Sequence, residues 1–214
     1  VTTQSRISSA QIPDLVDQIR RRAEESGIRQ IIGIVGAPGA GKSTLADLIG
    51  AQLGPQNCAV VPMDGFHLAN AVIEGTPLQS RKGAIDTFDV GGYLSLLARL
   101  RANDEPVVYA PSYRRGLEEP LAASIAVPQS TMFVLTEGNY LLADEQPWNR
   151  IRGLLDETWF IDRGRDARIA QLIGRHMEFG MDAARAAEWA NGSDEVNARL
   201  VESTRERADH VIRL

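Results

Sequence analysis

The chain has 214 residues, of which 43% are hydrophobic, enough to bury one sizeable core and most simply read as a single domain. A net charge of −5 argues against a nucleic-acid or membrane-surface partner. No apolar run is long enough to span a bilayer and no signal-peptide core opens the chain, so a cytoplasmic location is expected, and the one cysteine, Cys58, reads as a small buried hydrophobe in a reducing compartment.

The first predicted element is a helix over residues 9–26, with Ile12, Leu15, Val16, Ile19 and Ala23 on one face and Gly27 as its stop. A strand is expected at 30–35, then a helix after the Gly-rich turn, a strand at 58–62, a helix at 91–101 and a strand at 106–109. Further apolar runs follow at 131–135, 158–161 and 210–214, with helices at 168–179 and 181–190 between the last two. Buried runs alternating with helices predict an α/β fold, a mainly parallel five-stranded sheet with helices on both faces. The segments 74–90 and 110–120 read as irregular and polar, the second followed by a short strand at 124–127 that pairs back on 107–109. On this reading residues 1–28 form the N-terminal helix, 29–162 and 207–214 the core, and about 163–206 a lid with the C-terminal helices.

The segment Gly36, Ala37, Pro38, Gly39, Ala40, Gly41, Lys42, Ser43, Thr44 satisfies G-x-x-x-x-G-K-[ST] directly behind the first apolar strand. Its glycines let backbone N–H groups turn inward around phosphate oxygens, Lys42 reaches the β/γ-phosphates and the Ser43 hydroxyl is placed for Mg2+, so the motif implies a P-loop nucleotide site. The chain uses 21 Arg and only 2 Lys, and one of the two lysines stands where a compact point charge is needed.

In an open α/β sheet ligands gather at the carboxyl ends of the strands. Asp64, after the strand at 58–62, is positioned either to take a proton from an acceptor hydroxyl or to cap a short helix over 66–73. Glu137, after the run at 131–135, suits Mg2+ coordination with Ser43, the alternative being a structural ion pair. No His/Cys cluster suggests zinc.

Together the P-loop, the turn Asp64-Gly65-Phe66-His67, the loop from Arg81 to Asp89 and the segment Glu137-Gly138-Asn139-Tyr140 resemble the uridine kinase, pantothenate kinase and phosphoribulokinase group. The likeness is greatest to its bacterial branch labelled fructose transport system kinases. The resemblance implies the three-layer P-loop fold, ATP and Mg2+ as cofactors, Asp64 as general base, Glu137 as an aid to the metal, and a small helical lid whose arginines lie over the phosphates. That lid is expected at 168–179, where Arg168 and Arg175, seven residues apart, share a face. Arg175 is the candidate for stabilising transferred charge, or else a solvated arginine. Relatives often form homodimers, although no apolar stripe here marks such an interface.

A small hydroxyl acceptor, such as a sugar or a nucleoside-like or vitamin-like alcohol, is expected to meet Asp64, His67, Arg81, Lys82, Asp86, Tyr109, Tyr113, Arg114 and Tyr140. Positive charge on the 81–82 and 114–115 loops suits an anionic or polyhydroxylated molecule, with Arg115 read as a solvent-facing side chain. The loop 111–115 matches the pyrimidine-reading segment of uridine kinases only loosely. A nucleotide-dependent switch with a degenerate kinase site is the competing reading. The guanine-reading Asn-Lys-x-Asp and the Leu-Ser-Gly-Gly signature are both absent from the sequence.

Overall fold

A computed structural model describes residues 4–214. In chain order its strands are β1 (Ser5–Ser8), β2 (Gln30–Val35), β3 (Cys58–Pro62), β4 (Val107–Arg114), β5 (Glu119–Pro128), β6 (Phe133–Gly138), β7 (Glu157–Asp162) and β8 (His210–Arg213). The helices are α1 (Ile12–Ser26), α2 (Lys42–Leu53), the single-turn α3 (Asn70–Ile73), α4 (Val90–Ala102), α5 (Arg165–Glu178), α6 (Ala183–Asn191) and α7 (Ser193–Ser203).

Alternation along the strands divides the core into two halves. In β2, Ile31 and Val35 face a cluster with Val61, Val134, Phe160 and the Tyr93, Leu97 and Leu100 side of α4. Ile32 and Ile34 face the other way, against Leu15 and Ile19 of α1 and Leu45 and Ile49 of α2. Burial of one such leucine or isoleucine contributes about 2 kcal/mol, which is why both sheet faces must be covered.

The parallel sheet has six strands, in the order β1-β8-β7-β2-β6-β3, rather than the five expected. The additional strand, Ser-Arg-Ile-Ser, alternates exposed and half-buried residues at the sheet edge and carries no apolar run to announce it. It pairs with β8, Ser5 opposite His210, so the N-terminal segment joins the core sheet instead of supplying only a helix. A second correction concerns the run at 106–109, which leaves the sheet. It extends to Arg114 and forms an antiparallel hairpin with β5, in which Tyr109 faces Ala126 as the short-strand expectation required. The 110–120 stretch is therefore mostly strand. Its polar, proline-interrupted sequence hid this because the hairpin stands off the core and leaves much of β5 exposed. The helix expected at 66–73 is also divided, into a 3-10 turn at Met63–Phe66 and α3, by a bridge between His67 and Phe88.

The edge built by β1 is fastened by Glu157 at the start of β7. Its carboxylate accepts from Trp159 Nε1 at 2.7 Å and pairs with Arg22 of α1 and with His210 of β8. Burial would raise this carboxyl, yet hydrogen bonds from His210, Trp159 and Arg22 outweigh it and hold the pKa at about 2, below the ordinary 4.5. The depressed value contributes stability above about pH 4.5, and that contribution is lost as pH falls toward 2; its size is of order 3 kcal/mol. Glu157→Gln should therefore destabilise the fold by about 2–3 kcal/mol at pH 7 and by roughly half as much or less at pH 3, measured by urea unfolding at the two pH values.

Candidate active site

The central strand β2 is flanked by β6 and β7, so the crevice beyond its carboxyl end is the topological switch point of the sheet. The P-loop occupies that crevice, passing from β2 into the N-terminus of α2. Gly39 and Gly41 turn through positive φ (77° and 97°), a conformation that side chains oppose. At Gly39 a Cβ would also meet the Arg168 carbonyl oxygen at 2.5 Å, so the loop lies directly against the first turns of α5.

Around the loop a cleft of about 590 Å3 gathers chemistry from separate elements. Lys42 Nζ donates to Asn139 Oδ1 at 2.8 Å and to the Ala37 carbonyl at 3.3 Å. Burial lowers its pKa, partly countered by the charges of Glu137 and Asp64. Ser43 Oγ donates to Glu137 Oε1 at 2.9 Å. Glu137 ends β6 with 5% of its surface exposed, and burial, then the neighbouring Asp64, raise its pKa against the opposing pull of Lys42. It forms no ion pair within 4.0 Å among the described residues. A buried carboxylate next to a hydroxyl, with no ion-pair partner in direct contact, is a donor set that suits a divalent cation.

Asp64 enters from the turn after β3. The turn is set by close packing, since a Cβ on Gly65 would meet the Pro111 carbonyl oxygen of β4 at 2.4 Å. Across the cleft the Asp64 carboxylate lies 3.5 Å from Arg115 at the hairpin tip. His67 donates from Nδ1 to the Asp64 carbonyl at 2.8 Å, and its ring packs 4.6 Å from that of Tyr113. Burial lowers the His67 pKa, so its other ring nitrogen is a neutral acceptor at the edge of the cleft. From the opposite wall, α5 directs Arg175 inward with Nε buried and without a partner. Burial, then the charge of Arg115, lowers its pKa.

No family model matches the chain. The crystal structure of a "putative fructose transport system kinase" from Silicibacter sp. TM1040 superposes with a TM-score of 0.82 at 33% identity, over 92% of this chain and 98% of that one. The "ATP-dependent kinase-like protein notR'" of Aspergillus versicolor is 33% identical over 145 residues, 64% of this chain and 84% of its own length. The "Putative uridine kinase C227.14" of Schizosaccharomyces pombe is 29% identical over 194 residues, 86% of this chain and 83% of its own. The chain belongs to the uridine kinase-like group of P-loop kinases.

In this kinase the structure brings together Lys42, Ser43, Asp64, His67, Lys82, Tyr113, Glu137 and Arg175, all on the walls of the cleft. It does not bring Arg168 there. That side chain, 1% exposed, donates to the Pro38 carbonyl at 3.3 Å and to Glu202 at 3.0 Å, bolting α5 to the back of the P-loop and to α7. It shares a face with Arg175, but seven residues of helix rise separate the two by about 10 Å, which carries one to the outer backbone of the loop and the other to its mouth.

Five acceptor-site expectations also fall outside the cleft walls. Arg81 and Asp86 pair with each other on the surface. Tyr109 is more than half exposed on the outer side of the hairpin, and Arg114 is exposed. Tyr140 is buried among Phe88 and Trp148, and its hydroxyl is spent on the Gly83 carbonyl at 2.7 Å, holding the 83 loop. Sequence reading missed two residues. Asn139, in the quoted Glu-Gly-Asn-Tyr segment, orients Lys42. Arg115, read as solvent-facing, is exposed as expected but also lies 3.5 Å from the Asp64 carboxylate; alternation along β4 sends Arg114 outward, and the tip residue after it falls on the face that Tyr113 occupies.

Among the described residues no helix is long and apolar enough to cross a membrane.

Proposed function

We propose that this kinase transfers the γ-phosphoryl group of Mg-ATP to a hydroxyl of a small metabolite. The observation that carries the reading is the convergence of Asp64 with Lys42, Ser43, Glu137 and Arg175 in one cleft. Asp64 takes the hydroxyl proton as the acceptor oxygen bonds to the γ-phosphorus; the bond from phosphorus to the β,γ-bridging oxygen breaks, and ADP keeps its electron pair. Lys42, oriented by Asn139, and Arg175, with its unsatisfied Nε, face the oxygens on which charge accumulates. Ser43 and Glu137 would hold the magnesium ion, which supplies further neutralisation of phosphate charge.

A second groove of about 480 Å3 shares Gly41, Thr44 and Gln171 with the cleft and is lined mainly by apolar groups, among them Ile12, Leu48 and Leu214, with Arg163 at its side. Its continuity with the P-loop supports its reading as the seat for the nucleoside half of ATP. Residues of α1 thereby gain a role beyond the fold.

The test is Mg-ATP consumption with sugars including fructose, nucleosides, vitamin-like alcohols and hydroxy acids supplied separately. Transfer predicts at least tenfold stimulation of turnover by one compound class and a phosphorylated product by mass spectrometry. Equal slow hydrolysis with every acceptor would favour a nucleotide-dependent switch.

A further inference from the structure

Two guanidinium groups face one another across the acceptor end of the cleft. Arg175 comes from the lid helix and Arg115 from the hairpin tip, and the charge of Arg115 is felt by Arg175. Neither has a hydrogen-bond acceptor among the described residues: Arg115 has a single 3.5 Å ion contact with Asp64, and the Arg175 Nε is buried without a partner. Two cations lining one cleft, one of them the half-buried Arg175, repel one another, and an anion between or beside them relieves that cost. One such anion is the transferred phosphate, which Arg175 and Lys42 address from the P-loop side. Arg115 approaches from the other side, where it stands next to the base.

Its surroundings supply a second positive group and no free countercharge. Lys82 Nζ is held by Asn70 Oδ1 and the Glu118 carbonyl and sits 5.6 Å above the Tyr113 ring. The Glu118 carboxylate is occupied within the hairpin, by the Tyr113 hydroxyl at 2.9 Å and the Gly116 amide at 2.9 Å. That of Glu119 accepts from the Asn70 amide at 3.0 Å. Asp64 is therefore the one carboxylate that Arg115 pairs with, and it is the group that must be free to meet a hydroxyl. The hairpin is fixed at this distance because Pro111 rests on Gly65.

We infer that the acceptor carries an anionic group, a carboxylate or a phosphate, close to the hydroxyl that is phosphorylated, and that Arg115 with Lys82 holds it. This rests on the transfer reading above and narrows it to hydroxy acids and sugar phosphates. On binding, the acceptor's anion takes Arg115 from Asp64, so the base is released only when a molecule of the right charge is present. Arg115 would then select substrate and free the base in one movement.

Matched acceptors test this: glycerate against glycerol for the carboxylate, fructose 1-phosphate against fructose for the phosphate, with ATP consumption as readout. The expected result is a preference of roughly 30-fold or more in kcat/KM for the charged member of one pair, and that pair identifies the anion. Arg115→Ala should raise the KM for that member by a similar factor and leave the KM for ATP within about threefold, while Arg115→Lys recovers part of the loss. Equal use of charged and neutral members, or an Arg115→Ala effect confined to the KM for ATP, would overturn the inference.

If no compound stimulates turnover, the transfer reading fails, and calorimetry separates the two claims. With the P-loop filled by ADP, glycerate or fructose 1-phosphate binding to the wild type but not to Arg115→Ala sustains the anion site. Absence of binding to both removes it.

Discussion

Replacing Asp64 by Asn should lower phosphoryl transfer by roughly 100- to 10,000-fold while ATP affinity stays within a factor of about three. The substitution keeps the shape of the side chain in a turn where Gly65 is pressed against Pro111, so the strand end is undisturbed. What it removes is the proton acceptor. The nucleotide contacts proposed for Lys42, Ser43 and the loop amides do not involve Asp64, and neither Lys42 nor Ser43 hydrogen-bonds it. Steady-state kinetics with the stimulating acceptor, together with fluorescent-nucleotide titration, read the two quantities separately. A variant of full activity would remove Asp64 as the base.

Lys42→Met should reduce kcat/KM for ATP by roughly 100- to 1,000-fold and leave the nucleotide-free protein at least as stable as the wild type. The second half of the expectation comes from the lysine's environment. Its partners are neutral, a carbonyl and an amide oxygen, and burial already disfavours its charge. An unbranched apolar side chain of similar length does not incur that desolvation. Thermal unfolding without nucleotide should therefore show an unchanged or higher midpoint, whereas the stabilisation that ATP gives the wild type should vanish. A destabilised nucleotide-free variant would mean that Lys42 supports the fold and not only the ligand.

The sequence was most legible where chemistry is local. A P-loop is specified by adjacent residues, and strand ends bearing Asp64 and Glu137 follow from apolar runs, so their convergence needed only the rule that a parallel sheet collects ligands at one edge. The hairpin was illegible for a physical reason. Its strands are stabilised by pairing with each other and by leaning on the Asp64 turn, so no amphipathic pattern records their direction. Arg115 and Arg114 are neighbours of identical type, and only that direction decides which faces Asp64. Arg168 and Arg175 pose the complementary difficulty: helical spacing placed them on one face correctly, but the height of that helix against the P-loop is a tertiary quantity. Edge strand β1 went unseen because four residues at a sheet margin bury too little to leave a signature.

The pairing of β1 with β8 joins residues 5–8 to residues 210–213, almost the whole chain apart. During synthesis β1 must wait for β8, which is made roughly two hundred residues later. The β4–β5 hairpin, whose partners lie within about twenty residues of each other, can close long before that. Glu157 then receives its partners at very different times, Arg22 being made well before it and His210 well after it. An emerging chain can thus carry the β4–β5 hairpin ready-made, while the margin of its main sheet stays open until β8 has been made.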